Sequence, residues 1–485
     1  MVAAVVFAAC GSSVSTSGPP SSPGETPTSS AESAGPAVVV TLPPATPNPS
    51  IVPVPTSQLV ATSPLPYHLD AAKAKALKSA LDGIIKTGQY PGVSAAILFP
   101  DGTMWTGVSG SAVLSPATPV KADTLFSIGS VSKTFVAALI GRLAQSGKIG
   151  LSDPLAKYVP DFPNAANITI RQLLNHTSGI MDMFNAGDAA IASMDAAIAA
   201  HPTTAWTADQ VLAVVGARTY FEPGTGYKYS NTNYILLGLV AEKATGQKVA
   251  DLVRSMFLEP LGLDHTYLQT EETPTGPEAH GYCPDASSSC GTSFVAGSAP
   301  LDNFAGTMLP YTAEATAIGF AGAYVSTPSD LAIWANALYG GAVLDQATLA
   351  SMADISSSLP YNPRYPYGMG FEETTIAGHV AWGHRGLLDG FWSAMEYLRD
   401  FHVAIVVLVN ANWADPFGDC STLAKIAVGG PGAEPSALAL ASVLSPDVGP
   451  TCETQGPSAP RVPRARARSR GEARMPASGK VKPMA

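Results

Sequence analysis

Strand patterns stand at the two ends of the stretch from about residue 67 to 429, with helical patterns between them, and this constrains the fold more than any other feature. Near its start, LDAAKAKALKSALDGIIKTG puts Leu77, Leu81, Ile84 and Ile85 on one helical face. GVSAAILFPDGTMWTGVSG then reads as two strands turned at Pro100-Asp101-Gly102. At the far end HVAWGHRG, FWSAMEYL and FHVAIVVLVN read as strands, and a last helix is expected near 417–428. Strands so far apart in the chain bury their apolar faces most simply in one shared sheet, with the middle leaving it and returning. The expected fold is therefore α+β: an antiparallel β-sheet flanked by helices, with an inserted, mainly helical lobe. The sheet lobe takes 67–129 and 331–429, the helical lobe takes 130–330, and the cleft between them is the natural site.

The flanks are of another kind. Residues 11–66 and 430–460 are nearly free of charge and rich in Ser, Thr, Pro, Gly and Ala, too poor in apolar surface to fold. The expected organisation is a leader at 1–10, a disordered linker at 11–66, one folded domain at 67–429 and a disordered tail at 430–485, basic from Arg461 onward. The whole chain carries a net charge of −10, so the remainder is more acidic than the total. An acidic body argues against nucleic acid as a partner, since phosphate binding needs a basic face.

Cys10 follows Phe7-Ala8-Ala9 and precedes Gly11, which resembles a bacterial lipobox. The expectation is an exported protein, lipidated at Cys10 on the outer face of the cell membrane, or else secreted. The other four cysteines can pair in three ways. Cys283 and Cys290 bracket a polar loop, Cys420 and Cys452 both lie late in the chain, and local pairing of this kind suits an oxidising compartment. No Cys-x-x-Cys or His pair accompanies them, so no metal is expected. No apolar run approaches the length that spans a membrane.

Three short segments carry chemistry. Ser130 and Lys133 stand three apart where a long apolar helix begins, hence on one face and one turn apart. A serine hydroxyl is a poor nucleophile until a neighbour removes its proton, and a lysine of depressed pKa can do so. Free N–H groups at a helix start also stabilise developing negative charge. Tyr229-Ser230-Asn231 supplies a phenol that could act as a base if the lysine lowers its pKa, and a directional amide. Gly383-His384-Arg385-Gly386 lies in a strand whose glycines mark close approach by another backbone or a ligand. Each has an ordinary structural reading as well: a helix cap, a core tyrosine, a core histidine.

The ordered triple Ser-x-x-Lys, Tyr-x-Asn, His-x-Gly resembles the penicillin-recognising serine hydrolases: class C β-lactamases, D-alanyl-D-alanine carboxypeptidases and related esterases. ITIRQLLNHTSGI (168–180), FEPGTGYKYSNTNYILLGLVAEKATG (221–246), MFLEPLGLDHT (256–266) and GHRGLLDGFWSAM (383–395) carry it further. The resemblance implies that Ser130 attacks the carbonyl to form an acyl-enzyme while Lys133 and Tyr229 share proton transfer. Asn231 would hold the substrate amide and orient Lys133. His384 would stand for the lysine or histidine of the cleft strand, and the backbone N–H groups of Ser130 and Leu387 would form the oxyanion hole. His176, in NHTSG, is given no chemistry. Arg385 departs from the hydroxyl residue usual beside Gly386. It would either clamp a substrate carboxylate, preserving peptides and lactams, or point away and favour neutral esters. The implied partner is a small-molecule or peptide substrate with a scissile amide or ester, and no cofactor is implied. A penicillin-sensing protein with little turnover is the alternative outside the enzymes.

Overall fold

The computed structural model describes residues Val40–Thr41 and 67–429, apart from 186, 285–289, 291–298 and 359–365. The leader with Cys10, most of the linker, the tail and Cys452 lie outside the described residues. The main sheet is antiparallel throughout. In chain order its strands are β1 (Val40–Thr41), β2 (Gly92–Leu98), β3 (Thr103–Leu114), β4 (Glu372–Ile376), β5 (His379–Leu388), β6 (Phe391–Leu398) and β7 (Val403–Val409). In space they run β1-β3-β2-β7-β6-β5-β4, with Ala117–Pro119 paired to β3 as the eighth strand. β1 falls within the segment expected to be linker; it extends the edge through Val40 opposite Met104.

The seam that joins the two ends of the domain is β2 against β7, with Ala95 opposite Val407. β7, VAIVVLV, is buried at every position. Its period of two sends Val403, Ile405, Val407 and Val409 to one core and Ala404, Val406 and Leu408 to the other. Each such Val or Ile contributes about 1.5–3 kcal/mol by leaving water. The outer core is closed by α1 (Ala71–Gly88) and by a last helix, Pro416–Ala427. Asp70 caps α1 by accepting from the Lys73 N–H, and Leu77, Leu81 and Ile84 form its buried stripe.

The inner core holds α2 (Ser132–Gln145), buried around nearly its whole circumference. Phe135 stacks between Tyr324 and Trp334, with centroids 5.0 and 4.3 Å away, and the Trp334 Nε1–H donates to Thr134 Oγ1 at 2.9 Å. Four further helices matter to the site: α3 (Ala189–Ala200), α4 (Asn231–Thr245), α5 (Thr312–Ile318) and α6 (Pro328–Tyr339). The C-terminal helix Pro416–Ala427 is α7.

Cys283 and Cys290 form a disulfide. Cys420, considered for pairing with Cys452, is a free thiol with no exposure, packed from α7 against β6 and β7 near the Ala394 and Ile405 carbonyls. That is a buried core position, and Cys452 lies outside the described residues.

Candidate active site

Ser130 sits on a 3-10 turn, Gly129–Val131, that feeds into α2, so it stands just ahead of the helix instead of opening it. β4 covers β5 only from His379 to Gly383. The turn packs beside the part of β5 left uncovered there. Gly129 has φ +49°, and a Cβ on it would lie 2.8 Å from Leu387 N. A Cβ on Gly386 would come to 2.0 Å of Ile128 O. Both glycines answer the same close approach, and the Ser393 hydroxyl fastens it by donating to Ile128 O at 2.7 Å. Leu387 N is thereby brought against the turn that carries Ser130.

Lys133 has no exposure, and its Nζ has three neighbours: Ser130 Oγ at 3.0 Å, Asn231 Oδ1 at 2.7 Å and Ala321 O at 2.7 Å. Burial pushes its pKa down to about 7, against the opposing pull of the Asp182 carboxylate. A neutral amine has two hydrogens and one lone pair. The Asn231 and Ala321 oxygens can only accept, so they take both hydrogens, and the lone pair is left for the Ser130 hydroxyl. That is the geometry of a general base.

Asn231 opens α4, and its amide also donates to both Asp182 oxygens at 3.2 Å. Its amide hydrogens are thus directed to a carboxylate, while its oxygen orients Lys133. Sequence reasoning did not single out Asp182; the only signal was a carboxylate just after the NHTSG segment, with nothing to tie it to Asn231. Burial pushes the Asp182 carboxyl up, while the Phe184 N–H, the Asn231 amide and Lys133 act the other way.

Tyr229 corrects one expectation. Its phenol is not lowered by the lysine; burial pushes it well above its ordinary value, although the nearby Ser130 hydroxyl acts in the opposite sense. Lys133 Nζ lies over the ring, 5.0 Å from its centroid. A phenol raised in this way is protonated at neutral pH. Beside it opens a cleft of about 580 Å³ lined by Asp182, Phe184, Tyr220, Tyr227 and Lys228.

His384 is buried, with both ring nitrogens engaged: Nδ1 lies 2.6 Å from Arg385 O and Nε2 3.0 Å from the Tyr367 hydroxyl. The carbonyl can only accept, so Nδ1 carries the hydrogen and Nε2 accepts from Tyr367. Burial, then the Lys133 charge, lowers its pKa to about 3. The neutral ring thus has both nitrogens engaged by the protein, which suits a positioning part better than the expected catalytic one. His176 plays a related part: its Nδ1 accepts from the Ser230 N–H at 3.2 Å, and its ring lies 4.3 Å from that of Tyr229.

Arg385 takes the second of its two expected courses. It alternates away from His384 onto the outer face, where Nε and Nη2 both lie 2.8 Å from Glu372 Oε2 and the guanidinium rests 5.3 Å from the Phe417 ring. It is not a carboxylate clamp at Ser130.

A serine and a buried lysine one turn apart, closed by a Tyr-x-Asn turn and a strand edge, are the arrangement of a serine hydrolase. The chain belongs to the Beta-lactamase family, which it matches over residues 77–427. It resembles the D-stereospecific amidohydrolase of a Streptomyces species (28% identity, TM-score 0.60, 73% of this chain and 98% of that one). It resembles the D-amino acid amidase of Ochrobactrum anthropi SV3 to the same extent (27% identity, TM-score 0.60, 73% and 98%). Penicillin-binding protein 4* of Bacillus subtilis is 34% identical over 184 residues, 37% of this chain and 39% of that protein. An unguisins hydrolase of Aspergillus violaceofuscus is 25% identical over 374 residues, 70% and 62%. The chain thus spans less than two thirds of these curated relatives.

Proposed function

We propose that this protein is an exported amidohydrolase that cleaves D-configured amides with a neutral leaving group through an acyl-Ser130 intermediate. The observation that carries the reading is the Lys133 amine, its hydrogens held by Asn231 and Ala321 and its lone pair on Ser130. Ser130 Oγ gives its proton to Lys133 as it bonds to the amide carbon, and the N–H groups of Ser130 and Leu387 receive the oxyanion. One such donor is worth about 10²–10³ in rate. Tyr229 protonates the departing nitrogen, and the Lys133 ammonium restores the phenol. A water molecule then releases the acyl group by the same route reversed.

The outward turn of Arg385 supports a neutral leaving group over a carboxylate-bearing one, and the two amidases named above act, by their names, on D-amino acid amides or D-stereospecific substrates. Lys228, lining the cleft beside Tyr229, favours a second reading, a D-alanyl-D-alanine carboxypeptidase or β-lactamase, in which it meets a carboxylate. Esters fit the same site. The Cys283–Cys290 disulfide supports export, and the Phe7–Gly11 leader supports lipidation at Cys10. The test is a panel on the purified protein: a D-amino acid amide, a diacyl-D-Ala-D-Ala peptide, nitrocefin and a nitrophenyl ester. The amide should turn over with the highest kcat/KM of the three amide-type substrates. Turnover confined to the peptide and nitrocefin would overturn the reading.

A further inference from the structure

Tyr229 is held through its backbone and through its ring by different contacts. His176 fixes the backbone on both sides: its carbonyl accepts the Lys228 N–H at 3.1 Å, and its Nδ1 accepts the Ser230 N–H at 3.2 Å. That leaves rotation of the side chain, which packing around the ring restrains. The His176 ring lies against it, with centroids 4.3 Å apart, and Lys133 Nζ lies over its face. A further neighbour is Tyr367, whose ring meets that of Tyr229 at 84°, with centroids 6.0 Å apart. Edge-to-face contact of this kind is a preferred arrangement of two aromatic rings.

Tyr367 is itself firmly placed. It is 1% exposed and precedes β4, where it pairs with Glu372 across an antiparallel bridge. The buried Ser358 hydroxyl donates to its carbonyl at 2.7 Å. Its ring lies 4.7 Å from that of His176 and 5.7 Å from that of His384, and its hydroxyl donates to His384 Nε2 at 3.0 Å. One side chain thus meets the histidine that fixes the Tyr229 backbone, the phenol itself, and the histidine on β5. Burial holds the Tyr367 hydroxyl well above its ordinary pKa, so it stays protonated and engaged with His384.

We propose that Tyr367 is a positioning residue for the reaction: its ring sets where the Tyr229 hydroxyl stands, and its own hydroxyl keeps His384 from turning into that space. The inference rests on the reading of Tyr229 as the acid for the leaving nitrogen, and deepens it. A phenol delivers its proton only from within hydrogen-bond reach of that nitrogen. A displacement of about 1 Å at such a group can cost about 10²-fold in rate. An ester whose nitrophenolate departs unaided makes no such demand. Tyr367 should therefore matter to amides and hardly to nitrophenyl esters.

The experiment measures kcat and KM for D-phenylalanine amide and a nitrophenyl ester on the full chain. Tyr367→Leu and Tyr367→Phe are each made in the wild type and in a Tyr229→Phe background. Tyr367→Leu removes the ring contact and should lower kcat for the amide by about 10- to 100-fold, with KM within about threefold. Tyr367→Met, which fills more of the space, takes its place if the Leu variant does not fold. Tyr367→Phe keeps the ring and should restore most of the loss, leaving a deficit of about two- to fivefold. Ester turnover should stay within about threefold throughout the Tyr367 series. In the Tyr229→Phe background the Tyr367 changes should be nearly silent, because they act through the phenol. Equal losses on amide and ester, losses that multiply in the double variants, or full amide turnover in a folded variant without the ring overturns the positioning role. Amide turnover absent from the wild type, or untouched by Tyr229→Phe, overturns the acid reading and this inference with it.

Discussion

Lys133 Nζ and Asn231 Oδ1 stand 2.7 Å apart, and that bond determines which part of the lysine nitrogen faces Ser130. With its hydrogens committed, the amine has only its lone pair left for the serine hydroxyl. Behind Asn231, Asp182 receives the amide hydrogens and adds a negative charge that favours the ammonium form of Lys133.

Asp182→Asn tests that second layer. Removing the carboxylate removes a charge that raises the Lys133 pKa, so the acid limb of kcat/KM should move from about pH 7 to lower pH. The expected displacement is about half a unit to one unit. The sign follows from the base being active only when neutral: a lower pKa keeps it neutral further into acid. A pH–rate profile that stays put or moves upward would remove Asp182 from the network.

Tyr229→Phe separates acid from base. A phenol held well above its usual pKa protonates an amine leaving group and has little to give a nitrophenolate, which departs unaided. Amide turnover should fall by about 10²–10⁴, and nitrophenyl ester turnover by about tenfold or less. Equal losses in both assays would mean that Tyr229 acts on Ser130 itself.

The grouping of Ser130, Lys133 and Asn231 was legible in the sequence because part of their spacing is local. Three residues on one helix are one turn, and Tyr-x-Asn stands at the start of another. The β5 alternation was legible too, but was not carried through: once Gly386 faces Ile128, its neighbour Arg385 must face the other way. The tyrosine's protonation state was not legible, since burial outweighs the nearby lysine and burial belongs to the assembled core. Nor was the contact of Tyr367 with Tyr229 and His384, which exists only because three separate segments of the chain meet in space. Cys420 was ambiguous by pattern alone, because a core thiol and a cross-linking one look the same in a sequence.

Arg385→Ala is expected to act on stability and not on substrate choice. It leaves Glu372, 9% exposed, without its partner and uncovers Phe417. The loss should be about 2–3 kcal/mol, read as a lower Tm. The ratio of kcat/KM for carboxylate-bearing and neutral substrates should not change. A selective loss on the carboxylate-bearing class would return Arg385 to the site.

The anchoring proposal is checked by detergent partitioning of the native protein. With a lipidated Cys10 it should enter the detergent phase, and Cys10→Ser should leave it in the aqueous phase, since several acyl chains are needed for stable binding. Identical partitioning of the two forms would remove the anchor.

The central claim is that Lys133 is the neutral base for Ser130, and the rate of Ser130 labelling by a fluorophosphonate tests it without any assumption about substrate. The labelling rate should rise with pH along a single ionisation near 7. In Lys133→Ala the rise should vanish and the rate at neutral pH should drop by about 10²–10⁴, the usual worth of a positioned base. A midpoint near pH 10, or a Lys133→Ala protein that labels at the wild-type rate, would contradict the account.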